Sequence, residues 1–155
     1  MANEAINLVK QKTRIALEGA NPEIQRQFSA FWNHMATHKG NPDLTITVFS
    51  DMTVDAAVEA AACKLYAIYV KKGATATDAF YNVFDDATDD STAADAMISL
   101  GLTTASEEAV YFQPKGRVMA AGVVHGSYTA LIGYNATTAS TSGDGPSGFV
   151  ITGAA

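Results

Sequence analysis

At Asn41-Pro42-Asp43 the hydrophobic period of this chain changes from that of a helix to that of a strand. Before the break, Ile24, Phe28, Phe31, Trp32 and Met35 recur at the spacing of one broad helical face. After it, Leu44-Thr-Ile-Thr-Val-Phe49 alternates apolar residues with threonine, a period of two. A pattern written for one period does not settle into the other. The chain therefore has to begin with helices and continue as a β structure.

The first helix is expected from Asn3 to about Ala20, where Ala5, Ile6, Leu8, Val9, Ile15 and Leu17 mix with Lys10, Lys12 and Arg14. Gly19 is its stop signal. Asn21-Pro22-Glu23 starts the second, with Asn as N-cap and Pro in the first turn, and the helix runs to His38 before Lys39-Gly40.

Beyond Leu44 the readings are a turn at Ser50–Asp55, a short helix at Ala56–Ala62 on alanine propensity, and strands at Lys64–Lys71 and Ala79–Phe84, taken as a hairpin. Asp85–Asp90 reads as an acidic loop, and Ser91 or Thr92 caps a short helix from Ala93 to Leu100 that ends at Gly101. Ala109–Gln113 and Arg117–Val124 form a second hairpin about Pro114-Lys-Gly116, followed by a strand at Tyr128–Tyr134. Residues 135–148, rich in Ser, Thr and Gly, are expected to be a long exposed loop, because they cannot bury enough apolar surface to offset their ordering entropy. Phe149–Thr152 is a last strand that inserts into the sheet. The expected class is α+β: an N-terminal helical arm at 1–43, then a small, mainly antiparallel β-sandwich or barrel-like domain at 44–155 with about seven strands.

Charge divides at the same point. Residues 1–42 carry five basic and three acidic side chains, whereas 43–155 carry five basic and thirteen acidic ones. The overall charge of −6 disfavours nucleic acid, which would be repelled. No apolar run approaches the ~20 residues that cross a bilayer, and the acidic, polar opening Met1-Ala-Asn-Glu4 lacks a signal's basic region. The expectation is a soluble chain without membrane partner or cleaved leader. The single cysteine, Cys63, excludes an internal disulfide and a cysteine-based zinc site and reads as a core residue.

Constellations that could carry chemistry are sparse. His34 and His38 have the i, i+4 spacing of two zinc ligands, but His34-Met-Ala-Thr-His38 lacks the glutamate of a metalloprotease motif, and no third ligand stands nearby. His125-Gly-Ser127 shares a strand face without the strained elbow of a serine nucleophile. Asp85, Asp86, Asp89 and Asp90 offer oxygen ligands for calcium, without EF-hand spacing. Gly143-Asp-Gly-Pro-Ser-Gly148 has no lysine and precedes a strand, the reverse of a phosphate loop. The reading is a protein that works by contact, with no catalytic residue, cofactor or metal. Aromatic anchors are favoured at interfaces. Phe28, Phe31, Trp32 and Met35 are accordingly the candidate contact residues, with Ser140, Thr141, Ser142 and Gly143 as a second region. The alternative for the aromatic face is ordinary packing on the chain's own β domain.

Tyr69-Val-Lys-Lys-Gly73, Thr77-Asp-Ala-Phe80, Phe84-Asp-Asp-Ala87, Thr92-Ala-Ala-Asp-Ala96 and the ending Gly145-Pro-Ser-Gly-Phe-Val-Ile-Thr-Gly-Ala-Ala155 resemble the C-terminal regions of virion structural proteins of tailed bacteriophages, at the level of pattern over 65–155. The resemblance implies a head decoration or cement protein that binds the major capsid protein or other virion proteins. It would be present as a homo-oligomer on the particle and assembled in the host cytoplasm. A tail, neck or fibre-attachment part and a calcium-dependent carbohydrate-binding module are the alternatives.

Overall fold

A computed structural model of the chain describes residues 2–36, 43–52, 56–72, 79–87, 97–103, 105–112, 115–132, 135–139 and 145–154. Two helices lead, α1 at Ala2–Ala16 and α2 at Pro22–His34. Val9, Thr13 and Leu17 bury one stripe of the α1 segment, and the Thr13 hydroxyl is satisfied by donating to the Val9 carbonyl at 2.8 Å. The chain leaves this segment at Gly19, whose φ of +77° is the left-handed conformation glycine adopts without strain. Asn21 caps α2 as the sequence predicts, its side-chain oxygen accepting from the Glu23 N–H at 2.9 Å, with Pro22 in the first turn. Gln25 then donates to the carbonyls of Leu17 and Ala20 at 3.0 and 3.3 Å, fixing the corner between the helices.

Among the described residues ten strands follow: β1 Leu44–Phe49, β2 Ala56–Glu59, β3 Cys63–Lys71, β4 Ala79–Phe84, β5 Ile98–Leu102, β6 Glu107–Tyr111, β7 Arg117–Met119, β8 Val123–Ile132, β9 Asn135–Ala139 and β10 Ser147–Ala154. They form two antiparallel five-stranded sheets. One has the order β1-β10-β3-β6, with β7 also on β3; the other has β2-β8-β4-β5, with β9 also on β8. The last strand does insert centrally, between β1 and β3.

The first sheet is buried on both faces. Tyr69, Phe149, Ile151, Leu44 and Ile46 point toward the helices, while Leu65, Ile68, Val70 and Val150 join Tyr81, Val83, Leu102 and Val123 of the second sheet. The layers are therefore helices, sheet, sheet: an α+β sandwich in two sheets without barrel closure. Helices and first sheet share one core, so residues 2–36 pack as a layer of the fold.

A bulge in β3 aligns these faces. Ile151 pairs with Ala67 and Thr152 with Leu65, which leaves Tyr66 unpaired in the β10 register and turns both Tyr66 and Ala67 toward the helices. Gly116 and Gly153 flank the Tyr66 ring; a Cβ on either would approach it to 2.9 or 2.8 Å. The buried Thr152 hydroxyl beside the bulge has no hydrogen-bond partner.

Several local expectations fail for tertiary reasons. Ala56–Glu59 is a strand, because its ladder with β8 outweighs a weak alanine preference. Ile98–Leu102 is a strand on β4, and Gly101, expected as a helix cap, lies inside it opposite Phe80; residues 91–96 of that expected helix lie outside the described residues. Strands β3 and β4 belong to different sheets and form no hairpin. Nor do β6 and β7, which continue one another along the same edge of β3: Tyr111 pairs with Ala67, Phe112 donates to the Tyr66 carbonyl, and Arg117 pairs with Leu65. The expected loop at 135–148 holds β9 and the start of β10, while 140–144 lie outside the described residues.

Candidate interaction surface

The aromatic residues singled out from the sequence lie in the core. Phe28, Phe31, Trp32 and Met35 are all buried in the cluster with Tyr69, Phe149 and Ile151. Phe28 meets Tyr111 and Phe149 at centroid distances of 4.9 and 5.2 Å, and Phe31 meets Trp32 at 5.0 Å. Their surface is used within the chain, so they are corrected from partner contacts to internal packing. Ser140, Thr141, Ser142 and Gly143 lie outside the described residues.

Glu107, which no motif flagged, ties the layers together. Its carboxylate accepts from the Asn21 N–H at 3.1 Å and from the Tyr69 hydroxyl at 2.6 Å. Burial, then this hydrogen bond, pushes the Tyr69 phenol far up.

The possible chemical groups have structural partners. His125 and Ser127 are buried on the inner face of β8; His125 Nδ1 lies 2.8 Å from the Tyr81 hydroxyl, with Phe49 edge-on to the imidazole. Burial pulls the His125 pKa down to about 4, so the ring is neutral at physiological pH. Asp85 accepts from the backbone N–H groups of Ala120, Ala121 and Gly122 at 3.0, 2.8 and 3.3 Å. Burial opposes its ionisation, but these bonds outweigh it and hold the carboxyl below its ordinary range. Asp85 is thus an anchor for the turn before β8, and Asp86 accepts from the Ala87 N–H. Asp89, Asp90 and His38 lie outside the described residues, and His34 closes the last turn of α2. Among the described residues no three His, Cys, Asp or Glu side chains gather as metal ligands.

What the helical layer offers outward is a groove and a flank on which Leu8 and Ile15 border the exposed Lys12. The groove, about 550 Å³, runs between α1 and α2. Lys10 and Arg14, one turn apart on α1, form one wall, Gln25 and Ser29 the other, and Trp32 and Phe28 the floor, with Glu18 at the rim. Lys10 Nζ sits 5.9 Å from the Trp32 ring centre, at the outer range of a cation–π contact. The i, i+4 pair Lys10/Arg14 was visible in the sequence; that it would face α2 was not.

The flank lies on the other side of α1. At 100° per residue, Leu8 and Ile15 project about 100–160° away from Lys10 and Arg14. They are 52% and 56% exposed, large values for aliphatic side chains. Helix α1 packs over β1 and β10 through Val9, Thr13 and Leu17, so Leu8 and Ile15 point away from the sheet; on β1 itself Val48 is 60% exposed. The fourth large exposed aliphatic among the described residues, Val118, sits on the opposite edge, next to Arg117.

Comparison with known proteins adds little. No family model matches the chain, and no curated protein does. Among solved structures, the chain is similar to the Tobacco streak virus coat protein with a TM-score of 0.36 and 10% identity, over 71% of this chain and 85% of that one, a likeness too low for one structure to speak for the other.

Proposed function

We propose that this chain is a structural protein of a tailed-phage particle, a decoration or cement protein that binds the head shell and bridges neighbouring capsid subunits without catalysing a reaction. The observation that carries the reading is the layered division of charge. A sandwich rich in carboxylates is roofed on one face by a helical layer bearing Lys10, Lys12 and Arg14, while its Arg26 is paired with Glu23. A groove of about 550 Å³ on that face is walled by two of these cations. Such a molecule attaches by its helical face to an acidic surface and turns its acidic sandwich to solvent, where like charge discourages stray association. The phage-like patterns of 65–155 fall on strands of this sandwich and on the segments between them.

Copy number tests the reading. Quantitative mass spectrometry of purified particles should find this chain on the order of hundreds of times per particle, as repetition over a symmetric shell requires. A count of about ten would move it to the tail or neck; absence from particles would overturn the proposal.

A further inference from the structure

We infer that the groove between α1 and α2 receives an acidic amphipathic helix of a partner protein, laid in as a third helix of the roof. The inference rests on the particle reading and deepens it by naming the chemistry of the segment that this face grips.

The dimensions of the groove fit a short length of helix. One wall runs from Lys10 through Arg14 to Glu18 and the other from Gln25 to Trp32, about two turns on each side. At 1.5 Å per residue the groove is roughly 10–12 Å long. A helix 10–12 Å across fills on the order of 120–170 Å³ per residue. The volume of about 550 Å³ therefore matches two turns of a third helix sunk to half their depth.

The backbone around the groove excludes an extended occupant. Both walls are helical, with their N–H and C=O groups bonded within the helices, so a strand would find no ladder to extend. The neutral side chains are engaged as well. The Thr13 hydroxyl donates to the Val9 carbonyl, the Ser29 hydroxyl to that of Gln25, and the Gln25 amide to those of Leu17 and Ala20. An occupant has to arrive with its own backbone satisfied, as a helix does, and bind through side chains.

Charge then selects which helix. Among the described residues neither Lys10 nor Arg14 forms an ion pair, whereas Arg26 of α2 is paired with Glu23. Two cations one turn apart match two carboxylates one turn apart on an opposing helix. Glu18, a turn further on, repels a third carboxylate and accepts a cation. The occupant so defined presents acid, acid and base at one-turn intervals along one flank. Aliphatic side chains beside them cover the floor of Phe28 and Trp32.

Trp32 is the single tryptophan of the chain, so its emission reports occupancy of the groove without a label. The probe is a capped synthetic peptide, Ala-Ala-Glu-Leu-Ala-Ala-Glu-Leu-Ala-Ala-Lys-Leu-Ala-Ala, titrated into the purified full-length chain. It should shift the Trp32 emission along a saturating curve, with a dissociation constant that rises as salt is added. Lys10→Glu/Arg14→Glu should weaken binding at least about tenfold while leaving the melting curve in place. The same variant should bind the peptide in which both glutamates are lysines, which the wild type should not. Replacing the three leucines of the peptide with alanine should weaken binding at least about fivefold. No emission change up to about 1 mM peptide, the limit of a weak specific contact, overturns the inference. So does equal binding by the glutamate variant, or by the peptide without leucines, which would reduce the groove to bare attraction of charge. The titration needs no particles, so an empty groove and absence of the chain from particles are separate failures.

Discussion

Phe31→Ala should cost about 3–5 kcal/mol of unfolding free energy, among the largest losses expected of a single substitution in this chain. Phe31 has no exposed surface, and its ring lies 5.9 Å from Phe28, 5.0 Å from Trp32 and 6.1 Å from Tyr111. Truncation therefore opens a cavity among rigid aromatic neighbours that cannot collapse to fill it. Against a total stability of roughly 5–15 kcal/mol for a domain, that loss brings the fold to the margin. Urea denaturation at neutral pH reads it directly. Leu8→Ala, on the exposed flank of α1, should shift the monomer by no more than about 0.5 kcal/mol. A loss under 1 kcal/mol for Phe31→Ala would mean that the helices do not roof the first sheet as described. The same packing bears on truncation: removing residues 2–36 exposes Tyr66, Tyr69, Phe149 and Ile151 at once, so the sandwich should not survive as a soluble remnant.

Acid should destabilise the fold through His125. Burial sets its folded pKa at about 4, below the ordinary value of 6.5, so the folded state resists the proton that the unfolded state accepts. The resulting stability is complete above pH 6.5 and is lost progressively as pH falls toward 4. At pH 4.5 the loss relative to pH 7 amounts to about 2.5 kcal/mol at 1.36 kcal/mol per pKa unit. Carboxylates held below their usual range, Asp85 among them, begin to contribute in the same direction at lower pH. Comparing wild type with His125→Gln isolates the imidazole: the drop from pH 7 to pH 4.5 should be about 2.5 kcal/mol smaller in the variant. Equal drops would place His125 in contact with water, contrary to its position under Phe49 and Tyr81.

The parts of this fold legible in the sequence are those fixed by local chemistry. Asn21-Pro22-Glu23 starts α2 because side-chain and ring geometry alone favour a helix there. Leu44–Phe49, Cys63–Lys71 and the closing strand are legible because alternation or β-branched density admits few other readings. What misled was everything decided at a distance. Ala56–Glu59 and Ile98–Leu102 owe their conformation to β8 and β4. The connections β3–β4 and β6–β7 were read as hairpins from proximity in sequence, although one crosses between sheets and the other carries on along a single edge. The contact residues show the same limit. An aromatic helical face announces that a partner surface exists, not whose it is, and for Phe28, Phe31, Trp32 and Met35 it is the chain's own sheet. The surface that replaces them became visible only once the packing showed which sides of α1 stay uncovered. Likewise Asp85 looked like a member of an acidic cluster until three backbone N–H groups from 120–122 were found on its carboxylate.

Attachment through the helical layer can be measured on particles that lack this chain. Wild-type protein added to them should co-sediment, and Lys10→Glu/Arg14→Glu, which reverses the charge of the groove wall without touching the core, should reduce bound protein at least about tenfold while melting like the wild type. Equal binding by the two proteins would contradict attachment through this face.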